Sequence, residues 1–185
     1  MPDIEVLPDT DRDGPSRGVL ITALLIAVAA VGAVLTIAAT RTPAPTPVAI
    51  ASAPAPQADG PDCGRLLDAI PDQLGEYRRA TAVEPAPPGA AAWQAEPGAD
   101  PIIMRCGLDR PVDFVVGAPL QVVDAVQWFR VADPTGTLTT WFAVDRPVYV
   151  ALTLPTGSGP TPIQELSRAI TKTLPATPIQ PGPPG

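Results

Sequence analysis

The chain carries two kinds of apolar pattern, one unbroken and one periodic. Residues Gly18 to Thr40, GVLITALLIAVAAVGAVLTIAAT, hold no charge, and Arg17 and Arg41 bracket them. A run of that length makes a helix of about 34 Å, enough for a hydrocarbon core of ~30 Å. Eleven of its residues are Val, Leu or Ile, whose insertion free energies outweigh the polar Thr22 and Thr36. It has no polar side, as a soluble core helix would need. The run predicts a transmembrane helix over residues 18–40. With Arg12 and Arg17 before it and Arg41 after it, the positive-inside rule keeps residues 1–17 in the cytoplasm. The competing reading is a cleaved signal peptide ending near AIASAP. It fits less well, because the run is longer than a typical apolar segment of ~7–15 residues.

Composition changes after the helix. Residues 41–61 contain six prolines and almost no charge, so they read as a polyproline-type linker reaching about 65 Å at ~3.1 Å per residue. Residues 175–185, PATPIQPGPPG, read as a second disordered tail on the same grounds.

Periodic patterning returns over residues 62–174, which hold all eight aromatic residues. DCGRLLDAI, with Asp62 as N-cap, sets Leu66, Leu67 and Ile70 on one side of a helix that Pro71 ends. EYRRATAV and AAWQ are weak strands, and IIMRCGL is a better one. Three stronger strands follow, at Leu120 to Val131, Thr137 to Val144 and Val148 to Leu154. Thr161, Pro162 and Gln164 mark the start of a last helix, with Ile163, Leu166, Ile170 and Leu174 on its apolar face. The fold class is α+β: a mostly antiparallel sheet with helices on one face, preceded by a single transmembrane helix.

The turns set an expected register. A turn in DPTG pairs Trp128 with Trp141 and Val131 with Leu138. A three-residue turn at Asp145 to Pro147 pairs Phe142 with Val150. Alternation then collects Phe129, Val131, Leu138, Phe142, Val144, Val148, Val150, Leu152 and Leu154 on a core face. Trp128, Arg130, Thr139, Trp141, Tyr149 and Thr153 share the opposite face. A bulge at either turn breaks this assignment.

Composition then narrows the chemistry. There is no histidine, which removes His-based triads, Cys–His dyads and zinc sites with His ligands. Net charge is −7, which argues against nucleic acid as a partner. No cofactor or metal is implied. Cys63 and Cys106 are the only cysteines; both follow the anchor, in a compartment where thiols oxidise, so they predict one disulfide.

Cys63 with Leu66, Leu67 and Pro71, the pair Arg78-Arg79, AAW at Ala91 to Trp93, PIIMRCG, WF at Trp128-Phe129 and VDRPVYV occur in that order. Together they resemble an actinobacterial family of single-pass membrane proteins, domain of unknown function thirty-five fifteen, over residues 63 to 155. The resemblance implies a membrane-anchored exported domain and lends no catalytic residues. The family tends to have Gly after AAW and Asn-Gly before its WF strand. Here Gln94 and an insert replace the first, and Asp124-Ala125 the second.

The expectation is an uncharacterised cell-envelope module in the cell membrane, with its C-terminal domain extracytoplasmic. It is non-enzymatic and binds an envelope protein or cell-wall ligand through Trp128, Arg130, Trp141 and Tyr149. One alternative is a hydrolase using Asp109, Asp113 or Asp145, which needs two converging carboxylates. Another is a sensor gripping an anionic ligand with Arg78, Arg79, Arg105 and Arg110.

Overall fold

The computed structural model describes residues 17–40, 46–134 and 136–184. The expected cytoplasmic tail, apart from Arg17, lies outside them. Helix α1 spans Arg17–Thr40 and forms one unit; everything from residue 46 onward belongs to another. α1 is long and apolar enough to cross a membrane. Two of its threonines suit that solvent, since Thr22 and Thr36 donate their hydroxyls to Gly18 O and Gly32 O, one turn back.

The second unit is built on one sheet. Its strands are β1 (Gln73–Leu74), β2 (Tyr77–Ala80), β3 (Ala90–Gln94), β4 (Ile102–Leu108), β5 (Leu120–Val123), β6 (Val126–Ala132), β7 (Leu138–Ala143) and β8 (Tyr149–Pro155). They lie in the order β1-β2-β3-β4-β8-β7-β6-β5, and every adjacent pair is antiparallel. Helices α2 (Pro61–Ala69) and α3 (Thr161–Thr173) cover one face. Their buried residues, among them Leu66, Ile163, Leu166 and Ile170, join Trp93, Met104, Trp128, Val150 and Leu152 in the main core. The sulfurs of Cys63 and Cys106 are bonded, tying α2 to β4. α3 begins at Thr161 after Pro160 with no side-chain cap. The expected capping box does not form, and Glu165 instead accepts a hydrogen bond from the Gly75 N–H in the β1–β2 turn.

Three expectations need correction. Residues 120–131 form two strands rather than one, joined at Asp124 and Ala125, which both have positive φ. This is the conformation of a two-residue hairpin turn with twist matched to its strands.

The registers also differ. β6 meets β7 with Trp128 opposite Ala143 and Arg130 opposite Trp141, a slip of two residues that preserves which side chains share a face. β7 meets β8 with Trp141 opposite Leu152 and Ala143 opposite Val150. That slip of one residue moves every β8 side chain to the other face. The cause lies in the turn after β7, which is longer than the expected three residues and folds Asp145 and Arg146 inward. The Arg146 side chain is 2% exposed, and Nη1 lies 2.8 Å from Asp145 Oδ1. Arg146 donates from Nη1 to Asp145 O and from Nη2 to Ala125 O, so it clamps the β5–β6 turn as well. The expected core face is therefore split. Val150, Leu152 and Leu154 join Trp128 and Trp141 beneath the helices, while Phe129, Val131, Phe142 and Val144 pack with Phe114 on the second face.

Chain read as spacer or tail covers that second face. Val48 and Ile50 pack on Ala92; Val48 N–H donates to Thr81 O and its carbonyl accepts from Val83 N–H. At the C-terminus, Gly182 N–H donates to Phe114 O and its carbonyl accepts from Val116 N–H. Proline-rich composition excludes regular ladders, yet it leaves single bridges and apolar contacts open, and both ends of the domain use them. Gly107 shows how close this packing runs. It sits at a register shift in β4 with φ +83°, and a Cβ there would lie 2.4 Å from backbone atoms of Gln57 and Ala58.

Candidate functional site

The helix face is not fully covered. Beyond the start of α3, the floor formed by β5, β6 and β7 lies open as a groove of about 620 Å³. Gln121, Val123, Arg130, Thr139 and Trp141 line its floor, and loop 155–160 with Ile163 forms a wall. Thr156 ties that wall to the β6–β7 turn: its hydroxyl is shared between Gly136 O and Thr137 O at 2.8 and 3.0 Å, and its N–H donates to Thr137 O. The groove thus has a fixed mouth rather than two loose loops.

Among the described residues, Arg130 is the only charged one in the lining. Its guanidinium carbon sits 5.8 Å from the centroid of the Trp141 ring, within the range of a cation–π contact worth about 0.5–1 kcal/mol at an exposed site. Among the described residues no carboxylate forms a salt bridge with it. A cation held over an aromatic floor, between hydroxyls and apolar side chains, can take a carboxylate or another anionic group.

The aromatic set expected on one exposed face does not assemble. Trp128 is 0% exposed, and its indole N–H donates to Ser167 of α3 at 3.0 Å. It belongs to the core because the helices cover the face that the expected register left open. Tyr149 lies on the second face, packed near Phe114 and Phe129, with its hydroxyl directed to Gln180 O. Burial pushes its pKa up, and Arg110 opposes the rise. Arg130 and Trp141 alone remain together on open surface. Loop 156–160 forms the groove wall; two glycines placed just before a helix were the only signal available in its sequence.

The four arginines are likewise separated. Arg79 lies over Trp93, 4.9 Å from the ring centroid, and burial lowers its pKa against the pull of Asp72. Arg78, its neighbour on β2, points to the other face. Arg105, also on that face, donates to Ala51 O, and burial lowers its pKa. Arg110 reaches the C-terminal segment at Gly182. No single anion can touch all four. Of the candidate acids, Asp145 is buried against Arg146, Asp109 and Asp113 are exposed, and none of the three lines the groove.

The family described as Protein of unknown function (DUF3515) matches residues 24–179, most of α1 and nearly all of the domain. The chain belongs to this family. The match reaches past the stretch 63 to 155 on which the sequence resemblance rests, taking in Val48, Ile50 and α3. The match thus includes the Val48–Ile50 and Phe114 parts of the second-face cover and stops short of Gly182. No curated protein and no solved structure matches the chain.

Proposed function

We propose that the protein is a membrane-anchored module whose folded domain lies outside the cytoplasm and binds an acidic envelope partner in the groove, without catalysis. The observation that carries this reading is Arg130, an unneutralised cation stacked on Trp141 in an open groove of a chain with net charge −7. Two features support the setting. α1 has the length and composition of a membrane span, and a Cys63–Cys106 disulfide suits an oxidising compartment.

Topology within the domain supports it too. Chain from α1 arrives at Val48, which bridges to Ala82 just past the C-terminal end of β2. The groove mouth, at the β6–β7 turn and the loop after β8, lies at the opposite end of the antiparallel sheet. The groove and Val48 therefore lie at opposite ends of the domain.

A photo-crosslinking residue at Thr139, on the groove floor, tests this in living cells. It should give one discrete adduct that Arg130→Gln removes while leaving the thermal midpoint unchanged. A reporter fused after Gly185 should be active outside the cytoplasm. A correctly folded protein with no adduct from position 139 retires the reading.

A further inference from the structure

The sheet ends on β5, and this free edge is continuous with the groove. In a two-residue hairpin turn the flanking residues, here Val123 and Val126, form a hydrogen-bonded pair. Alternation then points the N–H and C=O of Leu120 and Val122 away from β6. Gln127, opposite Val122, fixes the phase, because its carbonyl accepts from Val144 N–H on the far side. Among the described residues the outward groups of Leu120 and Val122 have no backbone partner. Within Leu120–Val123 there is no charge, proline or bulge, and Val122 is 70% exposed; the strand is short, and Pro119 and Asp124 bound it. Gln121 and Val123, the alternate row, line the groove that holds Arg130.

We propose that β5 accepts an extended segment of another protein as an added strand, with a carboxylate side chain of that segment directed into the groove toward Arg130. Main-chain hydrogen bonds to Leu120 and Val122 supply affinity, and the alternate side chains supply selectivity. This rests on the groove reading above and names the partner's chemistry and pose. A second copy of this chain is the competing occupant, and one observation disfavours it. Two-fold pairing of β5 with itself brings Gln121 and Val123 alongside the groove, not a carboxylate.

The test uses the full chain in lipid nanodiscs and a capped heptapeptide that alternates valine with glutamate. One control replaces glutamate by lysine; another is N-methylated at alternate positions. The glutamate peptide should slow amide exchange at Leu120 and Val122 and bind about tenfold more tightly than the lysine peptide. Arg130→Gln should bring that ratio near one. N-methylation should abolish binding, as should Val122→Pro, which removes an outward N–H that β6 does not use. Val122→Lys, which keeps the backbone intact, should weaken it. Equal affinity for the two peptides, or no binding to either, overturns the proposal. So does a dimer that competes with the peptide. Binding that perturbs Trp141 while Leu120 and Val122 exchange freely overturns strand addition and leaves the groove reading standing.

Discussion

Two helices cover one face of the sheet, and three irregular segments cover the other. Under the helices, large side chains interlock: Trp93, Trp128, Leu152, Leu166 and Ile170 are fully buried, and the Trp128 indole is hydrogen-bonded to α3. On the second face Ala80, Ala90 and Ala92 offer a shallow surface to Val48 and Ile50, and Phe114 anchors the loop over Phe129 and Val144. A helix carries its own backbone hydrogen bonds to the sheet, whereas irregular chain must find a partner for each group it buries. The second face is accordingly held by separate bridges, Val48 to Ala82 and Val115 to Gly182. One cover is cooperative and the other is assembled contact by contact.

The largest test of this contrast is Trp128→Ala. It empties a fully buried site and removes the partner of Ser167, so urea unfolding should show a loss of about 3–5 kcal/mol. Trp141→Ala, on the same face but at the groove, should cost roughly 1–2 kcal/mol, because part of that ring is already in water. Equal losses would mean that the groove floor is core, and the site would go with it.

Gly107→Ala probes the other cover. A side chain at φ +83°, with its Cβ 2.4 Å from the Ala58 nitrogen, forces residues 57–58 off the sheet. A cost of about 2–3 kcal/mol is expected, together with faster amide exchange at Gln57, whose N–H donates to Gly107 O. A normal midpoint with unchanged exchange would show that this segment is not part of the fold. Stopping the chain after Pro175 should cost less, about 1 kcal/mol. It removes the Thr177 N–H bond to Asp145 O and both Gly182 bonds. Exchange at Val116 should rise while Trp128 stays protected; loss of protection at both would make the two covers one cooperative unit.

The same contrast explains what could be read from the sequence. α2, β4 and α3 were legible because each buries a periodic or continuous set of its own residues, α1 because its apolar run is unbroken, and the two cysteines needed only a shared compartment. The second face was not legible, since proline-rich chain gives no periodicity and its apolar residues, Val48, Ile50 and Phe114, stand alone. The groove depended on register, and register depended on one turn. Asp145 and Arg146 looked like polar turn residues but are folded inward as a buried pair, and the added turn residue inverted β8. Arg130 and Trp141 survived as neighbours because the slip between β6 and β7 was even.

The smallest expected effect concerns the hairpin that hid inside the expected long strand. Asp124 and Ala125 have φ of 44° and 63°, where a Cβ costs roughly 1–2 kcal/mol and where Asn-Gly is the sequence that best suits the turn. Other contacts must hold the turn in place here. Arg146 bonds Ala125 O, Thr171 donates to Asp124 O, and Arg168 lies 3.7 Å from the Asp124 carboxylate. None of these uses the Ala125 side chain, so Ala125→Gly relieves strain and keeps every bond. The gain is offset in part by the greater freedom of glycine in the unfolded chain, which leaves about 0.5–1 kcal/mol of added stability. A raised urea midpoint with an unchanged slope is the expected result. A fall instead would mean that the backbone at Ala125 is not strained.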